Sequence, residues 1–74
     1  MGNRTNTELN KEIGAKLQKA RLSKRITQSQ IAEHIGMSTN HISAIERGVS
    51  KASVEVLIGY CKTLNMSASE ILGI

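Results

Sequence analysis

Asn40, Ser43, Ala44 and Arg47 fall on one side of a short helical segment when successive residues are set about 100° apart, with Thr39 at its leading tip, and Ile42 and Ile45 fall on the other. The outward set is chemically mixed in a telling way. The Asn40 carboxamide offers a donor and an acceptor side by side, the arrangement that matches the N6 and N7 edge of adenine. Thr39 and Ala44 carry methyl groups that suit the thymine methyl, and Ser43 carries a hydroxyl that can donate or accept. Arg47 can reach a guanine or a phosphate. Ser38, His41 and Lys51 flank this face and are candidates for phosphate contacts. No catalytic constellation competes with this reading: the chain has no Asp and a single Cys, and His34 and His41 stand without the carboxylate, thiol or serine partners of a triad or a metal cluster. The expectation is therefore no enzyme, no metal and no cofactor.

A reading face is useful only if something holds it at a fixed angle. The stretch 27–48, TQSQIAEHIGMSTNHISAIERG, supplies that as a helix-turn-helix. Ile31, Ile35, Met37, Ile42 and Ile45 fall on the inner faces of two helices meeting at about a right angle. Ala32 sits where the helices approach most closely. Gly36 stands where the chain leaves the first of them in a left-handed conformation that costs a residue with a Cβ about 1 kcal/mol or more. Thr27 and Gln30 form a capping box, and Ser38 can cap the second helix.

The remaining periodicities fill out an all-α fold. Leu9, Ile13, Leu17 and Ala20 make one apolar stripe on a helix over 7–23, and Ile26 drops into the core from the following loop. The reading helix runs from Thr39 to Glu46 or Arg47 and stops at Gly48. Ser53 caps a fourth helix bearing Val54, Leu57, Ile58, Cys61 and Leu64, with Gly59 and Tyr60 expected to interrupt it near its middle. Ser67 and Glu70 form a second capping box for a last short helix carrying Ile71 and Leu72. Residues 1–6 are polar and aperiodic and read as a loose tail; residues 7–74 read as the folded domain.

Composition agrees. Seventy-four residues make one small domain, and with Tyr60 as the sole aromatic the core is built from Ile, Leu, Val, Met and Ala. The formal charge of +4 favours an anionic partner, and six of the ten basic residues lie between Lys11 and Arg25. No apolar stretch is long enough to span a membrane, and a lone Cys61 cannot form an internal disulfide, so the chain reads as cytoplasmic.

These anchors resemble the phage-repressor and Cro-like helix-turn-helix family of the Xre type. They are Ile13-Gly14, Leu17 and Arg21, then Thr27-Gln28, Ala32 and Gly36, then Ile45-Glu46 and Gly48, with Leu57, Leu64 and Ile71 completing a pattern of five helices. The resemblance implies a compact five-helix bundle of the lambda-repressor-like type. It also implies a buried ion pair between Arg21 and Glu46, and a phosphate contact by Gln28 at the start of the second helix. The chain departs from the family pattern in four places. Lys24-Arg25 replaces a common glycine and threatens strain, Ala52 replaces a frequent proline, Gly59-Tyr60 disturbs helix four, and Leu22 lies off the inner stripe.

One domain reads few bases, so the leading expectation is a homodimeric transcription regulator on an inverted-repeat operator, with half-sites about 34 Å apart on double-stranded DNA. By elimination the dimer surface falls to the last two helices, at Tyr60, Met66, Ala68, Ile71 and Ile74, each of which could equally belong to the intramolecular core. The other reading is an antitoxin-like or adaptor module whose main partner is a protein. Neither requires a small-molecule ligand.

Overall fold

The computed structural model describes residues 6–74. Helix α1 runs Asn6–Ser23, α2 Gln28–Ile35, α3 Thr39–Glu46, α4 Val54–Leu64 and α5 Ala68–Leu72, and the described residues contain no strand. Asn6, expected in the tail, already belongs to α1; the rest of that tail, residues 1–5, lies outside the described residues.

Each helix boundary has a side-chain cause. Thr27 accepts from the Gln30 amide while the Gln30 side chain accepts from the Thr27 amide, so the capping box is complete in both directions. Ser38 caps α3 by accepting from the His41 amide, Ser53 caps α4 through Val56, and Ser67 and Glu70 close a second box at α5. Gly36 ends α2 at φ 86°, with its amide and that of Met37 both donating to the Ala32 carbonyl. Asn65 ends α4 at φ 55°, a conformation its short polar side chain tolerates. At the far end, the Lys16 ammonium donates to the Leu72 carbonyl at 2.7 Å and ties the end of α5 to α1.

The core gathers Leu17 and Ala20 from α1, Ile31 and Ala32 from α2, Ile42 and Ile45 from α3, Val56, Tyr60 and Leu64 from α4, and Ile71 from α5. Two glycines set how closely the helices pack. A Cβ on Gly14 would run into the backbone carbonyls of Ile45 and Glu46, so α1 lies directly against the end of α3. A Cβ on Gly59 would meet the Ile35 side chain at 2.7 Å. That explains why the expected interruption of α4 does not occur: the helix is continuous through Gly59 and Tyr60, and the glycine makes room for α2 rather than breaking α4.

The sequence reading of the first loop identifies a real feature. Arg25 sits at φ 57°, the left-handed region that a glycine would occupy freely.

Candidate nucleic-acid interface

The angle of α3 is fixed by one buried carboxylate. Arg21 donates to Glu46 through two nitrogens, Nε to Oε2 at 2.8 Å and Nη2 to Oε1 at 2.9 Å, and its Nη1 donates to the Ile26 carbonyl at 2.8 Å. Both residues are buried, at 5% and 4% exposure, where an unpaired charge would be costly. Glu46 accepts two further bonds, from the Tyr60 hydroxyl to Oε2 at 2.6 Å and from Gln28 Nε2 to Oε1 at 3.0 Å. Groups from α1, α2 and α4 thus converge on the last residue of α3. No buried side-chain nitrogen or oxygen among the described residues lacks a partner.

Burial alone would raise the Glu46 pKa. The donors from Arg21, Tyr60 and Gln28 outweigh that and hold the carboxyl below its ordinary value, so Glu46 is a carboxylate at neutral pH. The same bond to Glu46 raises the Arg21 pKa. Burial first, and the Glu46 carboxylate second, push the Tyr60 phenol far above its ordinary range.

With α3 held from inside, its outer face is presented to solvent. Thr39, Asn40, His41 and Arg47 are exposed, while Ser43 and Ala44 are half-buried. The Asn40 carboxamide makes no hydrogen bond to any described residue and is free to bond outward. Its neighbours are less free: Arg47 Nε donates to Ser43 Oγ at 3.3 Å, and Thr39 Oγ1 lies 3.2 Å from Ser29 Oγ across the α2/α3 corner. Ser38 keeps its hydroxyl proton, its oxygen being occupied by the His41 amide. Lys51, in the loop after α3, is exposed.

Gln28 is half-buried, with one N–H directed to Glu46 and the second N–H uncommitted. Ser29 was not among the residues singled out from sequence. Its position in the first turn of α2, facing the start of α3 across a fixed corner, is the signal that could have found it.

Of the expected dimer set, Tyr60 and Ile71 take the core alternative. Tyr60 has no exposed surface, because its ring fills the core and its hydroxyl is bound to Glu46, and Ile71 is 5% exposed beneath α1. Met66 and Ala68 are half-buried and Ile74 is exposed. No cluster of three or more His, Cys, Asp or Glu side chains suited to a metal occurs among the described residues, and no described helix is long and apolar enough to cross a membrane.

An all-α bundle in which a helix-turn-helix presents a polar outer face is the architecture of DNA-binding regulators. Residues 17–71 match the helix-turn-helix family, and the chain belongs to it, in its Xre/Cro-like branch of DNA-binding transcription regulators. Among curated proteins it is similar to the antitoxin PezA of Streptococcus pneumoniae serotype 4, with 33% identity over 61 residues that cover 82% of this chain and 39% of that protein. The chain therefore spans well under half of the length of that relative. Among solved structures, the clp gene regulator ClgR from Corynebacterium glutamicum superposes with a TM-score of 0.82 at 33% identity, covering 86% of this chain and 68% of that one. The restriction-modification controller protein C.AhdI from Aeromonas hydrophila shares the fold, with a TM-score of 0.79 at 20% identity over 86% of this chain and 97% of that one.

Proposed function

We propose that this protein is a sequence-specific double-stranded DNA-binding regulator that acts as a homodimer on an inverted-repeat operator, inserting α3 into the major groove. The observation that carries this reading is the pairing of an outward, uncommitted Asn40 with an inward, fully bonded Glu46 on the same eight-residue helix. One side of α3 is locked; the other is presented.

In this reading Asn40 discriminates adenine, Thr39 and Ala44 meet thymine methyl groups, and Ser43 adds a hydroxyl contact. Gln28, Ser38, His41, Arg47 and Lys51 position the domain on phosphates, with Gln28 using the N–H that Glu46 leaves free. The second copy docks through the surface of α4, α5 and the residues beside them: Met66 between the two helices, Ala68 in α5 and Ile74 beyond it. The protein carries out no chemistry of its own on the nucleic acid.

Mobility-shift titrations over a salt series test this. A genomic operator bound at least 10³-fold (about three orders of magnitude) more tightly than random DNA supports it, with affinity falling steeply as salt rises. Equal affinity for all sequences at physiological salt contradicts it.

The likeness to PezA favours a second reading, in which this domain belongs to an antitoxin and DNA binding accompanies the capture of a protein. Purification from the native host separates the two: a stoichiometric protein partner supports the antitoxin reading, and a lone DNA-binding chain supports the first.

A further inference from the structure

The outward side of α4 carries apolar groups in a charge pattern that complements itself. Val54 is 70% exposed and Ile58 47% exposed, one turn apart on the same side of the helix. Half-buried Leu57 and Cys61 join them to the core. Glu55 and Lys62, both exposed, lie together along one flank of this strip. They are about 10 Å apart along the axis, too far to pair with each other, and neither has an ion-pair partner among the described residues.

We propose that this strip is the homodimer interface, formed by α4 packing antiparallel against α4 of a second copy about a twofold axis near Ile58; the proposal rests on the homodimer reading above. Glu55 lies three residues before Ile58 and Lys62 four after it. An antiparallel pairing centred there sets Glu55 of each copy against Lys62 of the other, and a twofold axis keeps both on the same flank. Two ion pairs then flank an apolar strip that has Ile58 of each copy at the axis and Val54 of each copy towards its ends. A parallel pairing would set the two copies of this flank on opposite sides of the interface, where neither Glu55 nor Lys62 gains a partner, so the charge order favours the antiparallel one. Such an interface leaves Gln28, Asn40 and Arg47 uncovered, since none of them lies on α4. It also puts the partner on the helix whose Tyr60 is bonded to Glu46, so the dimer contact and the reading helix share one rigid support.

Sedimentation equilibrium of the full chain, with circular dichroism to confirm an unchanged fold, tests this. Ile58→Glu is expected to weaken self-association by at least about tenfold, and Glu55→Lys or Lys62→Glu alone by about tenfold each. Mixing the two charge variants is expected to restore wild-type affinity as a heterodimer, because both cross-pairs are then attractive. If Ile58→Glu associates as tightly as the wild type, or if the mixture is no tighter than either variant alone, the α4 interface is overturned while the homodimer reading stands. If the wild-type chain is monomeric even at about 100-fold above the micromolar range, both fall.

Discussion

The Tyr60 hydroxyl donates a 2.6 Å hydrogen bond to Glu46, joining the middle of α4 to the last residue of α3. With Arg21 and Gln28 on the same carboxylate, the orientation of α3 depends on three other helices at once. DNA recognition in this account is a consequence of that internal rigidity.

Tyr60→Phe is expected to lower stability by about 2 kcal/mol, because it removes one bond to a buried charge and keeps the ring. The urea midpoint should fall with no change in the slope of the transition. A loss below about 0.5 kcal/mol would mean that the hydroxyl contributes nothing beyond what water supplies.

The buried cluster around Glu46 gives the pH dependence two edges. Tyr60 has its pKa raised above the ordinary 10.0, so its contribution is fully present below that pH and is lost as the pH rises beyond it. As the only tyrosine, it gives an unambiguous ultraviolet titration: tyrosinate absorbance is expected to appear only together with alkaline unfolding. Glu46 has its pKa lowered below 4.5, so its contribution is present above that pH and declines as the pH falls through the lower folded value. Glu46→Gln is expected to remove the larger, buried part of the acid edge, leaving that of the Glu70 capping carboxylate, and to cost about 3 kcal/mol at neutral pH by leaving Arg21 buried and unpaired. A tyrosine that titrates near its ordinary value in the folded protein would contradict this picture.

Gly14→Ala is expected to destabilise by about 2 kcal/mol or more, since the added methyl meets backbone carbonyls of α3 that cannot rotate away. DNA affinity measured well below the melting transition should fall as well, because α3 is pushed off its angle. Unchanged affinity and stability would show that α1 and α3 have slack at this contact.

Arg25→Gly is expected to have the opposite effect on stability. Arg25 occupies the left-handed region, and relief of its steric cost exceeds the added freedom of glycine in the unfolded chain by about 0.5 to 1 kcal/mol. Thermal melts of the two proteins at equal concentration check this.

Much of the fold was legible because its boundaries are local. Thr27 with Gln30, Ser67 with Glu70, Ser38, Ser53 and Gly36 each act within a few residues of themselves, so their types and spacing define helix ends without knowledge of the rest. Long-range contacts were legible only in part. The Arg21–Glu46 pair came from family resemblance, whereas the bonds of Tyr60 and Gln28 to the same carboxylate depend on how α2 and α4 approach α3, and no pattern along the chain encodes that distance. Tyr60 was left between interface and core for this reason: an aromatic residue with a polar tip suits an interface and a buried carboxylate equally well. Gly59 was misread as a helix breaker because the residue it accommodates, Ile35, lies on another helix. The outer face of α3 was legible because Ile42 and Ile45 define its inner face; its hydroxyl pairings with Ser29 and Arg47 were not.

The central claim, that the outer face of α3 reads base edges, is tested most directly by selecting bound sequences from a random duplex pool with the wild type and with Asn40→Ala in parallel. The account expects the wild type to enrich an inverted repeat, and Asn40→Ala to lose preference at one adenine position per half-site, worth about 1–3 kcal/mol there, with the rest of the site unchanged. No enrichment by the wild type, or an identical preferred site for both proteins, would contradict it.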